Sequence, residues 1–69
     1  DLFVILYRNS TVPVSDIKEK DYIRIARLQK TSGTQRYAIP SNVKLEDFKS
    51  VAVWCRAFNA TFGYAPLAS

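Results

Sequence analysis

Val51-Ala52-Val53-Trp54-Cys55 reads as a β-strand. Val51, Val53 and Cys55 share one face of such a strand, and Ala52, Trp54 and Arg56 the other. Toward the C-terminus, Phe58, Phe62 and Tyr64 extend an aromatic pattern as far as Pro66, with Gly63 marking a bulge or a close backbone approach. Toward the N-terminus, Ser41 to Lys49 reads as a connection anchored by Val43, Leu45 and Phe48, with one helical turn over Leu45 to Phe48. Tyr37-Ala38-Ile39 reads as a short strand ended by Pro40. Lys30 to Thr34 is a turn in which Gly33 takes a positive φ at no steric cost.

In Tyr22 to Leu28, Ile23 and Ile25 fall on one strand face, with Arg24 and Ala26 on the other. A helix starting after Asp21 is the competitor, but the apolar positions do not follow the i, i+3, i+4 spacing a helix needs. Asp16 and Glu19, three residues apart, predict a capped helical turn between Ser15 and Asp21. Arg8 to Ser15 is polar, carries Pro13 and reads as a loop. Leu2 to Tyr7 is apolar on both faces, as suits a strand packed on both sides or bordering a covered sheet.

Five short strands separated by turn signals predict an all-β, β-sandwich-like fold, with residues 1–69 forming a single domain. A full sandwich uses more strands. The sequence also opens inside an apolar run, so the expectation is an incomplete domain with Leu2 to Tyr7 as an unpaired edge. A chain of 69 residues buries only about 60% of the surface its unfolded form exposes. With one cysteine and no histidine, neither an internal disulfide nor a zinc site can be assembled from this chain.

The formal net charge is +4. The ten Lys and Arg residues are scattered, and acidic residues sit among several of them, as in Asp16-Ile17-Lys18-Glu19-Lys20-Asp21. That pattern reads as a solvated surface, and a nucleic-acid partner is not expected. The longest apolar run, Leu2 to Tyr7, is too short to cross a bilayer, so direct membrane insertion by this segment is not expected either. Asn9-Ser10-Thr11 and Asn59-Ala60-Thr61 both fit the N-glycosylation sequon and point to an extracellular or cell-surface setting. Asn9, just before Val12-Pro13, is the better acceptor.

Without histidine, a Ser-His or Cys-His nucleophile pair cannot form. Glu46 and Asp47 are adjacent and read as a solvated turn, because neighbouring side chains do not converge on a substrate. The two glycines lie too far apart in sequence for a phosphate loop. Cys55 is the one chemically distinctive side chain. It reads either as a small buried hydrophobe between valines or as a redox thiol. Activation of a thiol needs a cation, a helix N-terminus or a metal, and on a strand Arg56 points to the opposite face. Trp54, Phe58, Phe62 and Tyr64 read as core, with a ligand groove as the alternative. The indole N–H of Trp54 needs a partner wherever it is buried.

Several ordered segments resemble one family. Asp1-Leu2-Phe3-Val4-Ile5-Leu6 is similar to a strand of the type Pro-Asp-Leu-aromatic-Val-x-Leu. Ser32 to Pro40 is similar to Ser-Gly-x-Gln-x-Tyr-x-x-Pro. Lys49 to Cys55 matches a Ser-Val-x-x-Trp-Cys strand, and Phe62 to Leu67 a closing Phe-Gly-x-Ala-x-Leu pattern. The family is the DM-thirteen or "electron transfer DM" domain, found in the Skeletor protein and in extracellular proteins that carry DOMON domains. The chain resembles the C-terminal two-thirds of that domain. The resemblance implies a β-sandwich-like fold, an extracellular or membrane-anchored setting, and a redox role centred on Cys55. It also implies a DOMON or cytochrome domain as partner in the same protein, with Trp54, Phe58 and Phe62 as supporting aromatics. It specifies no cofactor and leaves open whether the domain is itself an enzyme. The rival is a non-catalytic adhesion or matrix-binding module with a structural Cys55.

Overall fold

Five consecutive residues of the first strand, Phe3 to Tyr7, are buried. A strand is buried on both faces only when something covers each side of its sheet, and this one lies inside the sheet. In the computed structural model, which describes residues 1–68, strand β1 (Leu2–Tyr7) pairs antiparallel with β2 (Tyr22–Arg27) on one side and with β3 (Ser50–Cys55) on the other. Strand β4 (Ala60–Pro66) pairs with β3, giving one four-stranded antiparallel sheet in the order β2-β1-β3-β4. The fold is all-β. The expectation of Leu2 to Tyr7 as an unpaired edge is corrected: the edges are β2 and β4, and the apolar character of β1 on both faces reflects its central place.

The register divides the sheet into two faces. Phe3 stands opposite Trp54, Ile5 opposite Ala52 and Tyr7 opposite Ser50. Phe3, Ile5, Tyr7, Ala52 and Trp54 form the main core, closed by Val12 and Ile17 from the segment between β1 and β2, with Tyr22 packed against it. That segment is therefore a cover, held by an isolated bridge between Ser15 and Ala60. Ser50, fully buried, bonds the carbonyl of Asn9 through its hydroxyl at 2.6 Å. The other face carries Val4, Leu6, Val51, Val53 and Cys55. Leu28, Gln35 and Tyr37 border the groove that Val4, Val51 and Val53 line on this side. The second layer is thus irregular chain rather than a second sheet.

Three expectations are corrected in detail. Tyr37-Ala38-Ile39 is not a strand, so the sheet has four strands rather than five. Side-chain bonds replace ladder bonds there: the Gln29 N–H donates to the Tyr37 hydroxyl, and the Gln35 amide bonds both N–H and C=O of Lys30. The predicted capped turn forms two residues later, as a 3-10 turn over Glu19–Asp21 with Lys18 at its N-cap and no side-chain cap, and Asp16 is itself left-handed at φ 62. Ile25 does not share a face with Ile23. It is the extra residue of a bulge, since Val4 pairs with Ala26 and Ile5 with Arg24. The turn read at Leu45 to Phe48 is a 3-10 turn over Leu45–Asp47, and Gly33 takes φ 83 in its turn. Gly63 adjoins a second bulge, in which Phe62 is the extra residue between the Val53–Gly63 and Trp54–Thr61 pairs. A side chain at Gly63 would meet nothing within 4 Å, so the bulge reading holds and the close-approach reading does not.

Candidate functional site around Cys55 and Trp54

Cys55 ends β3, where it pairs with Leu2 of β1 and Ala60 of β4. Alternation puts its sulfur on the side of Val51 and Val53, away from Trp54. The residue is 5% exposed and the thiol is free. Arg56, next in sequence, lies with its guanidinium 5.1 Å from the Phe3 ring centroid, on the Trp54 side of the sheet. The nearest cation in sequence is therefore turned away from the sulfur, as strand geometry requires. Among the described residues no group of three His, Cys, Asp or Glu side chains is placed to hold a metal ion.

Trp54 is 3% exposed, and its indole N–H donates to Asn59 Oδ1 at 2.9 Å. Asn59 also accepts the Ile17 N–H through Oδ1 and donates through Nδ2 to the Ile17 carbonyl, both at 3.1 Å. Its backbone carbonyl accepts the Asp16 N–H at 3.0 Å. One asparagine thus satisfies the buried indole and clamps the cover segment onto the β3–β4 hairpin. It sits at φ 48, a left-handed conformation that asparagine tolerates better than most residues. The Tyr22 ring tilts against Trp54 at 4.8 Å between centroids.

The structure separates the aromatics that the sequence grouped. Trp54 is core, but Phe58 is 82% exposed at the hairpin tip, Phe62 is 67% exposed and Tyr64 is also exposed. The core reading fails for Phe58 because it lies in the β3–β4 turn, and for Phe62 and Tyr64 because β4 is an edge strand whose bulge at Phe62 turns that residue outward. Phe62 lines a recess with Leu2 and Val53, on the Cys55 side of the sheet. Of the two sequon asparagines, Asn9 lies in an exposed loop. Asn59 is half-buried with its amide committed to Ile17 and Trp54, so the folded hairpin leaves it poorly suited to carry a glycan. Asn59 as the partner of Trp54 was missed in the sequence. The local signal was an Asn closing a tight hairpin, and its sequon drew the reading toward glycosylation.

Residues 1–67 match the protein family described as "Electron transfer DM13". The chain belongs to the DM-thirteen family. The match takes in all four strands, the Trp54-Cys55 pair and the hairpin that Asn59 closes. No curated protein and no solved structure gives a significant match. Within this DM-thirteen domain the family's description carries an electron-transfer theme, and Cys55 is the one cysteine of the sequence.

Proposed function

We propose that this domain is an extracellular or cell-surface electron-transfer accessory module in which Cys55 is the redox side chain, working with a DOMON or cytochrome domain in the same protein. Membership of a family described by electron transfer, together with a single free thiol at the end of the central β3 strand, supports this reading. The chemistry is constrained by that single sulfur. A disulfide couple within the chain is unavailable. Either the thiol gives up one electron and one proton to an acceptor on the partner domain, or it joins a partner thiol in a disulfide while the acceptor takes two electrons and two protons. The second route needs the partner thiol and the acceptor to reach the Cys55 sulfur. Because Cys55 is covered by paired neighbours on both sides, that route requires local opening at Leu2 or Ala60, near the ends of β1 and β4.

The burial of Cys55 supports a second reading, in which the sulfur only fills space and the domain is a binding module. Thiol reactivity of the folded protein toward a small reagent, measured across pH, separates the two when paired with electron transfer by the Cys55→Ala full-length protein. The redox reading expects a reactive thiol and loss of electron transfer, with stability lowered by only about 1 kcal/mol. Alanine is the better substitution, since a serine hydroxyl left unpaired there costs about 1–3 kcal/mol on its own. A thiol inert until the protein is unfolded, with electron transfer intact in Cys55→Ala, leaves the binding-module reading in place.

A further inference from the structure

Arg24, Arg27 and Arg56 are dispersed in sequence, and simple alternation would put Arg24 and Arg27 on opposite faces of β2. The bulge at Ile25 removes that alternation. Arg24 stands opposite Ile5 and Arg27 opposite Phe3, so both arginines join the Phe3 face. Arg56 arrives on the same face from the end of β3. The three guanidinium carbons lie 4.9, 4.9 and 5.1 Å from the centroid of one ring, that of Phe3. A ring face attracts cations but carries no net charge to cancel them. Among the described residues the one carboxylate that reaches the cluster is that of Asp1, 3.6 Å from Arg27 and 3.1 Å from Arg56. Among the described residues Arg24 has no carboxylate at ion-pair distance. Three arginines against one aspartate leave an excess of two positive charges. All three arginines are exposed, and with Phe3, Ile25 and Ala26 they line a shallow recess of about 360 Å³.

We propose that this recess binds a tetrahedral oxyanion, a sulfate or phosphate group carried by a soluble ligand. A phosphate monoester or an inorganic dianion matches the excess charge; a sulfate ester carries one charge, as a carboxylate does, but offers three terminal oxygens around one centre where a carboxylate offers two. Arg56 commits Nε and Nη2 to the Asp1 carboxylate, both at 3.1 Å, so the forks of Arg24 and Arg27, which make no side-chain hydrogen bond among the described residues, supply the paired N–H donors, and packing on Phe3 steadies all three around one centre. A recess focused on one ring fits a single group better than a flat anionic membrane. The site is independent of Cys55, whose sulfur is on the other face.

Titration of the protein with inorganic sulfate and inorganic phosphate at low ionic strength, read on the arginine Nε–Hε NMR signals, tests this. Saturable shifts confined to Arg24, Arg27 and Arg56 are expected, with Arg8 and Arg36 unmoved. Arg24→Gln should weaken binding about tenfold, the loss of one charge-assisted contact. Arg24→Lys, which keeps charge but not the fork, should fall between. Lys44→Gln, which removes the same net charge elsewhere, should leave affinity unchanged, and the same spectra report whether each variant is folded. Competition by a sulfated but not a desulfated oligosaccharide would identify a glycan-borne sulfate as the source, and competition by a sugar phosphate a phosphate ester. Non-saturating shifts across all cations, or equal weakening in Lys44→Gln, would overturn the proposal. So would capture by anionic vesicles with no response to either inorganic anion.

Discussion

Asn59 shows how much one side chain can hold in a domain this small. Burying an indole leaves a donor to satisfy, and an unmade bond there costs more than a made one gains. The β3–β4 turn needs a residue at φ 48 that also presents an acceptor to Trp54 and a donor to Ile17. Asparagine meets all three demands. Asn59→Gly keeps the backbone at ease but loses three side-chain hydrogen bonds. At about 0.5–1.5 kcal/mol net each, the loss should be about 1.5–4.5 kcal/mol. Asn59→Ala should lose about 1 kcal/mol more, because its Cβ clashes in the left-handed conformation. Urea midpoints at constant slope measure both. A glycine variant as stable as the parent would show that the clamp contributes nothing. Equal midpoints for glycine and alanine would show that the turn is not strained.

At the scale of elements, the two sequons sit in different settings, and that decides their fates on the secretory route proposed above. The Asn9 loop leaves its side chain exposed while its backbone carbonyl is anchored by Ser50. The Asn59 hairpin uses its side chain internally, and Thr61 Oγ1 of the same sequon is buried without a partner. Protein recovered folded from a eukaryotic secretory host should carry glycan on Asn9 and none on Asn59, as read by peptide mass spectrometry. Folded material fully occupied at Asn59 would contradict the hairpin geometry, and a bare Asn9 would remove this support for secretion. The same contrast shows what the sequence made legible. The β-branched and aromatic run of β3 and the apolar run of β1 are local signals, and both strands were readable. The face of Arg24 and Arg27 was not, because the bulge at Ile25 is set by pairing with β1 rather than by β2's own residues. Tyr37 to Ile39 had strand-like residues but no partner strand, and pairing is what makes a strand. The partnership of Asn59 with Ile17 spans 42 residues and depends on where the cover segment lies. Cys55 stood out by composition alone, but its burial is a property of the assembled sheet.

Across the whole molecule, the order β2-β1-β3-β4 dictates where stability resides. β1 and β3 have ladder partners on both sides, whereas β2 and β4 each have one. Ile5, at the centre of β1, is fully buried, whereas the second half of β4 is exposed. A domain of this size has little stability to spare, so its slowest amides should exchange only through unfolding of the whole sheet. Those amides should be in Val4 to Leu6 of β1 and Ala52 to Trp54 of β3. Outward-facing amides of β2 and β4, and those between Gln29 and Lys44, should exchange through local fraying, orders of magnitude faster. Ile5→Ala should then lower the protection of the β1 and β3 set together, by the same about 2–5 kcal/mol that it costs in global stability. Hydrogen exchange followed by NMR gives both readings on one sample. Maximum protection in β4, or a β1 set that responds to Ile5→Ala while β3 does not, would mean that the strands do not unfold as one sheet. Cys55 then falls at the boundary between the two regimes. Its β1 and β3 neighbours are held by the global transition, but its Ala60 neighbour starts an edge strand, so fraying of β4 is the motion by which the sulfur would first meet solvent.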